Sequence, residues 1–168
     1  IEEEDLPFLR DTINDPAVRR YLGSGGPYNL AQEQEYFENI ASEDDNLNLL
    51  VCTDGDPAGT ISLQPLNPAE GSSEIGLFLA EDYWGQGLGT EASRLVTDHA
   101  FRERAHHRVT ARVIEGNAAS RALWESLGFR HEATMREAAF NEGEHVDVYW
   151  YAILARNGLT ETRSPESD

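Results

Sequence analysis

Tyr83-Trp84-Gly85-Gln86-Gly87-Leu88-Gly89-Thr90 sets three glycines at alternate positions. That spacing lets the backbone turn tightly and leaves its N–H groups unobstructed. Where such a loop opens a helix, the unpaired N–H groups and the helix dipole favour an anion. A pyrophosphate can be held this way without Lys, and this chain contains none. The loop is not a Walker A loop, which needs Gly-Lys-Ser/Thr. Gly87-x-Gly89-x-x-Ala92 does satisfy the dinucleotide pattern G-x-G-x-x-A. However, Glu81-Asp82-Tyr83-Trp84 separate the loop from the strand before it, and Arg112 stands near the place of the acidic ribose-binding residue. The loop therefore predicts a phosphate-bearing ligand, and a dinucleotide fits it poorly.

A second stretch, Asn117-Ala118-Ala119-Ser120 through Leu127-Gly128-Phe129, can also carry chemistry. Asn117 closes a strand and can cap the following helix. Ser120 comes one turn later, where its hydroxyl can face the first strand–helix junction. His106 and His107 lie where a helix runs into a strand, a place that suits a cationic His. No Cys/His cluster has metal-ligand spacing, so no metal is expected. Cys52, the single cysteine, has no internal disulfide partner and reads as packing within an apolar strand.

The elements that must position these residues follow from periodicity and turn chemistry. Asp5–Ile13 and Ala17–Leu22 read as short helices. Asn29, with Gln32 in the reciprocal position, can cap a third helix running to about Ser42. Leu47–Thr53 and Thr60–Leu66 form a hairpin about Asp54-Gly55-Asp56-Pro57. Ser73–Ala80 is a third strand. Ala92, Leu95, Val96, His99 and Ala100 then give the apolar stripe of an amphipathic helix. Val109, Ala111 and Val113 alternate as a strand, and a helix over Ala118–Leu127 stops at Gly128, which suits a left-handed cap. Arg130–Ala139 and His145–Ala155 read as strands joined at Asn141-Glu142-Gly143. Residues 1–158 are expected to form one domain, with 159–168 a disordered tail.

Asp and Glu number 31 against 13 basic residues, a net charge of −18. That balance argues against nucleic acid or an anionic membrane as partner, since both need Lys and Arg to meet phosphate. The acidity is spread along the chain. It fits the proteome of a salt-loving cell better than a local attraction for a cationic substrate. No apolar run approaches a membrane span, and no leader pattern opens the chain. The expected setting is the cytoplasm.

Together, the strand Glu74-Ile75-Gly76-Leu77-Phe78-Leu79, the loop Tyr83–Ala92, the Asn-x-x-Ser of Asn117 and Ser120, and Leu127-Gly128-Phe129 resemble the GNAT superfamily of N-acetyltransferases. Trp84, Ser120 and Arg136-Glu137-Ala138-Ala139-Phe140 look most like its ribosomal-protein N-terminal (Rim-type) branch. The resemblance runs from about Asp5 to Leu159. It implies an α/β fold with a mixed, largely antiparallel twisted sheet flanked by helices, and one more strand ahead of Asp5. It implies acetyl-CoA as donor and a primary amine as acceptor, either a peptide N-terminus or a small amine such as a polyamine, an amino acid or an antibiotic. A monomer or homodimer is expected.

Carried over residue by residue, the resemblance implies that backbone groups of Phe78, Leu79 and Ala80 hold the pantetheine arm and polarise the thioester carbonyl. N–H groups of Gln86, Gly87, Leu88, Gly89 and Thr90 would bind the pyrophosphate, and Asn117 would contact the pantetheine. Glu74 would be the base, and Ser120 would approach the thiol sulfur. Many relatives place a proton-donating Tyr where Trp124 stands, and an indole cannot serve as that acid. The Trp leaves a second expectation open, a non-catalytic acetyl-CoA sensor of the same fold.

Overall fold

The computed structural model describes residues 1–23, 26–41 and 45–159; the tail expected after residue 159 and the end of the third helix at Ser42 lie outside them. Helices α1 (Leu6–Asn14), α2 (Pro16–Arg19) and α3 (Leu30–Ala41) precede strands β1 (Leu47–Thr53), β2 (Asp56–Asn67) and β3 (Ser72–Leu79). Then come α4 (Leu88–Arg102), β4 (Arg108–Ile114), α5 (Ala118–Ser126), β5 (Arg130–Asn141) and β6 (Glu144–Leu154). The strands form one sheet in the order β1-β2-β3-β4-β6-β5. Every neighbouring pair is antiparallel except β3 and β4. The α/β fold with a mixed, largely antiparallel sheet is thus the one expected.

Local chemistry explains the boundaries. Thr53 pairs with Asp56, so Asp54 and Gly55 alone form the turn, with φ of 52° and 90°. Glu142 and Gly143 do the same between β5 and β6, with φ of 49° and 93°. Both are left-handed two-residue loops whose twist matches the strands they join. Asn29 Oδ1 accepts from Gln32 N at 3.0 Å, and Gln32 Oε1 accepts from Asn29 N at 2.9 Å. That completes the reciprocal cap at the start of α3. Gly128, with φ of 94°, closes α5.

The two faces of the sheet differ. Ile61, Leu63, Ile75 and Leu79 point into a core shared with Val96 and Ala100 of α4 and Trp124 of α5. Register places Asn48, Ser62 and Gly76 side by side on the other face, with Gln64 beside Glu74. That face is polar, and α1 and α3 lie over it.

Two sequence expectations change. Cys52 is exposed, because Val51 beside it enters the core and alternation turns the next side chain to the other face. His106 lies beyond the end of α4 and faces β3. Its Nδ1 lies 2.9 Å from Ser73 Oγ, and burial, then Arg104, hold it below the ordinary His range. Among the described residues no helix is long and apolar enough to cross a membrane.

A net charge of −18 on a domain this size repels itself most at low salt. The Debye length falls from about 10 Å at 0.1 M to about 3 Å at 1 M. Melting midpoints measured across a KCl series should therefore rise towards molar salt. A flat or falling series would remove the halophilic reading of the composition.

Candidate active site

Strands β3 and β4 stay together for three residue pairs only, ending at Glu74 opposite Thr110. Beyond that point they splay, and the opening leads into a cleft of about 710 Å³. Its walls come from Leu77, Phe78 and Leu79 of β3, the glycine loop, and Asn117, Ser120 and Trp124. Val18, Tyr21 and Leu22 close one side. The two sequence motifs, almost 30 residues apart, are thus brought to one hollow by the short parallel pairing of β3 with β4.

The loop is shaped to receive an anion. Gly85 and Gly87 have φ of 72° and 83°, and a Cβ added to either would meet no atom within 4 Å. No side chain caps α4, so the N–H groups of its first turn lack the side-chain acceptor that many helices supply. Gly89 differs from expectation. Its φ is not positive, and a Cβ there would lie 3.1 Å from Leu77 and from Leu123. Gly89 is therefore required by packing of α4 onto β3 and α5 as well as by the loop. Gly87, Gly89 and Thr90 line the cleft, whereas Leu88 and Gln86 do not. Gln86 instead ties the loop down, its Nε2 donating to Asp82 O at 2.7 Å.

Along the splay the backbone divides. Ala80 N donates to Ala58 O, and Phe78 O lies against Gly59, where a Cβ would come within 2.2 Å of it. Alternation then turns the peptide groups of Leu77 and Leu79 towards the opening. Of the three expected backbone positions, only Leu79 presents its groups there, and Ala80 does not line the cleft. The Leu79 carbonyl already accepts from Trp84 Nε1 at 2.8 Å, which leaves the Leu79 N–H as the donor on that side. Trp84 thereby fastens the loop to the end of β3.

Asn117 Oδ1 caps α5 by accepting from Ser120 N at 3.0 Å, so its amide Nδ2 is the group left for a ligand. Trp124, only 3% exposed, packs on Phe129 with ring centroids 5.0 Å apart. Its Nε1 donates to Ser120 Oγ at 3.1 Å. The Ser120 hydroxyl therefore accepts from the indole and keeps its own hydrogen for another acceptor.

Glu74 is not in this cleft. It lines a second hollow, about 980 Å³, between α1, α3 and the polar face of the sheet. The two hollows share Leu22, Gly76, Leu77, Phe78 and Arg112. Glu74 Oε1 accepts from Arg112 Nε at 2.6 Å, and the Arg112 guanidinium also lies 5.8 Å from the Trp150 ring centre. Oε2 of Glu74 remains for another partner. Sequence reasoning missed Arg112 in this role, although alternation from Thr110, the partner of Glu74 in β4, points to it. Glu33, Tyr28 and Tyr36 of the second hollow were missed as well.

Residues 1–130 match the family model described as the acetyltransferase (GNAT) domain. The spermidine N(1)-acetyltransferase of Escherichia coli is 25% identical over 98% of this chain and 89% of its own length. A crystal structure of the ribosomal-protein-alanine N-acetyltransferase of Brucella melitensis is 30% identical, with a TM-score of 0.80 over 92% of this chain and 96% of that one. The spermidine N-acetyltransferase of Vibrio cholerae, solved with CoA and spermine, shares the fold at a TM-score of 0.86 and 22% identity, over 93% of both chains. Relatives at comparable identity thus carry names from two acceptor classes, and the ribosomal branch is not singled out.

Proposed function

The chain belongs to the GNAT acetyltransferase family and is an acetyl-CoA-dependent N-acetyltransferase, and we propose that it transfers the acetyl group directly to a primary amine held in the second hollow. The observation that carries this reading is the junction of two hollows at the β3 splay. One has a glycine loop and an uncapped helix for a phosphate-bearing donor, and the other has a carboxylate for an amine. Gly87, Gly89 and Thr90 would hold the pyrophosphate, and Leu79 N–H and Asn117 Nδ2 the pantetheine end. Gln86 and Leu88 support the loop's shape.

The chemistry needs little more. A neutral amine nitrogen attacks the thioester carbonyl carbon, and the carbonyl electrons move onto oxygen. A fixed N–H such as that of Leu79 stabilises that charge without reorganising. Glu74, oriented by Arg112, receives the amine proton on Oε2, directly or through a water. The C–S bond then breaks, and coenzyme A leaves as a thiolate that accepts a hydrogen bond from the Ser120 hydroxyl, turned to it by Trp124. The thiolate takes its proton from water while Glu74 returns the amine proton to solvent. Both motifs are used, and no covalent enzyme intermediate is required.

Ser120→Ala is expected to lower kcat by roughly tenfold, less than the 10²–10⁴ that an essential proton donor contributes, because water supplies the proton to the thiolate. Acetyl-CoA affinity should stay nearly constant. Steady-state thiol release checks this, and unchanged kcat would leave Ser120 only its place in α5. The acceptor read from the sequence, a peptide N-terminal α-amine, shares its support with small polyamines. Comparison of N-terminal peptides with aliphatic amines as substrates tests that choice.

A further inference from the structure

The second hollow has chemistry that acetyl transfer to a simple amine does not use. Its floor carries Asn48, Ser62, Gln64 and Glu74, whereas the opposite face of the same strands is apolar and closed. A sheet face covered by helices only for stability would be apolar on both sides. Into this hollow α3 brings Glu33, 7% exposed. Among the described residues no hydrogen bond or ion pair reaches its carboxylate. Burial alone holds that carboxyl above the ordinary Glu range, with no cation offsetting it. Its charge is felt by Tyr36, whose phenol is pushed up by burial first and by Glu33 next. The buried Nδ2 of Asn48 is also without a partner.

Glu33 is mostly covered, yet its carboxylate opens into the hollow with no partner from the protein among the described residues. A cation entering the hollow can complete it, and partial burial strengthens that contact over one in open water. An ammonium group matches, because it offers several donors around a compact charge. The Asn48 amide can turn its oxygen towards the same guest, since the two ends of an amide are interchangeable in shape.

We propose that Glu33 seats a second ammonium group of the acceptor, so that the enzyme selects aliphatic diamines and longer polyamines over monoamines. The near nitrogen is acetylated beside Glu74 while the far one rests against Glu33. This inference rests on the transferase reading and adds to it a specificity-determining residue and a substrate class.

The test compares putrescine with n-butylamine, which share a carbon chain and differ by one ammonium, at constant ionic strength. A charge-assisted contact of the usual strength gives the diamine roughly a 10- to 150-fold advantage in kcat/KM. In Glu33→Gln that advantage should fall to near unity through KM, with kcat for both amines nearly unchanged. Calorimetry of putrescine against the CoA-loaded protein should show binding in the wild type and its loss in Glu33→Gln. If no amine is turned over, the transferase reading fails, and the calorimetric arm still decides the role of Glu33. Equal kcat/KM for the two amines in the wild type, or a preference surviving in Glu33→Gln, overturns the proposal.

Stability supplies an independent readout. Because the Glu33 carboxyl is raised in the folded protein, the folded state holds this proton more tightly than the unfolded chain. The associated stability is present at acid pH and is lost as pH rises through the raised value. The other titratable side chains lining the hollow are Tyr28, Glu35, Tyr36, Glu74 and Arg112. Without putrescine, Glu33→Gln should therefore melt higher than wild type at pH 7 and about equally at pH 4. A lower midpoint at pH 7 would mean that Glu33 holds the fold together instead of waiting for a ligand.

Discussion

Glu74→Gln is expected to lower kcat by about 10²–10⁴ while acetyl-CoA affinity stays nearly constant. The two effects separate because Glu74 lines the acceptor hollow and the glycine loop lines the other. Gln keeps the shape and can still accept from Arg112 Nε, so what is lost is the basic oxygen that Arg112 leaves unused. The pH profile then reports the acceptor. An α-amine has a pKa of about 7.7–8.0, so the loss should shrink through that range as the amine arrives neutral. An aliphatic amine near 10.4 keeps needing the base, and the loss should persist well above pH 8. Wild-type activity in Glu74→Gln at neutral pH would reduce Glu74 to an ion-pair partner of Arg112.

Gly87→Val should weaken acetyl-CoA binding by roughly 10²-fold or more, the equivalent of one or two charge-assisted hydrogen bonds. Gly87 has φ of 83° and open space where a side chain would project. A β-branched residue is strained in that backbone conformation and would occupy the room a phosphate needs. The strain is about 1–3 kcal/mol, which a folded domain usually survives, so far-ultraviolet circular dichroism should be native-like. Gly89→Val is not an equivalent experiment. Its Cβ would press on Leu77 and Leu123, so it should lose melting midpoint as well as ligand. Calorimetry showing wild-type affinity in Gly87→Val would make the loop a turn and nothing more.

These expectations indicate which parts of the site were legible in the sequence. The donor side is written in contiguous stretches, because a glycine loop opening a helix and an Asn cap followed by Ser are local features with local causes. Their meeting in one cleft depends on the short parallel pairing of β3 with β4, which ends at Glu74 and Thr110. The acceptor side was legible only at Glu74, which the resemblance implied as the base. Glu33, Asn48, Gln64 and Glu74 come from α3, β1, β2 and β3, and their proximity depends on cross-strand register, which no single segment records. Ala80 shows the same limit at finer scale. Its place beside Phe78 and Leu79 in the chain suggested a shared role, but alternation turned its N–H to Ala58. Cys52 fell on the exposed side because its neighbour Val51 is the residue of that pair that enters the core.

The role of Trp124 also emerged only in three dimensions. Its position argued against proton donation, and that remains so, since an indole N–H is no acid near neutral pH. What the sequence did not convey is that the indole reaches back one turn to Ser120 and fixes which way that hydroxyl faces. In the proposed transfer, Trp124 thereby acts through its neighbour rather than as an acid.

The central claim is direct transfer between two hollows, and one measurement tests it most directly. The protein is mixed with acetyl-CoA at molar salt, first alone and then with N-terminal peptides, polyamines and amino acids. Thiol, acetylated amine and the intact mass of the protein are followed together. The account predicts no thiol and no change in protein mass without amine, then thiol and N-acetyl product in equal amounts once a suitable amine is added. An acetylated protein forming before any amine is present would contradict direct attack. Tight acetyl-CoA binding with no thiol released for any amine would instead make the chain a sensor.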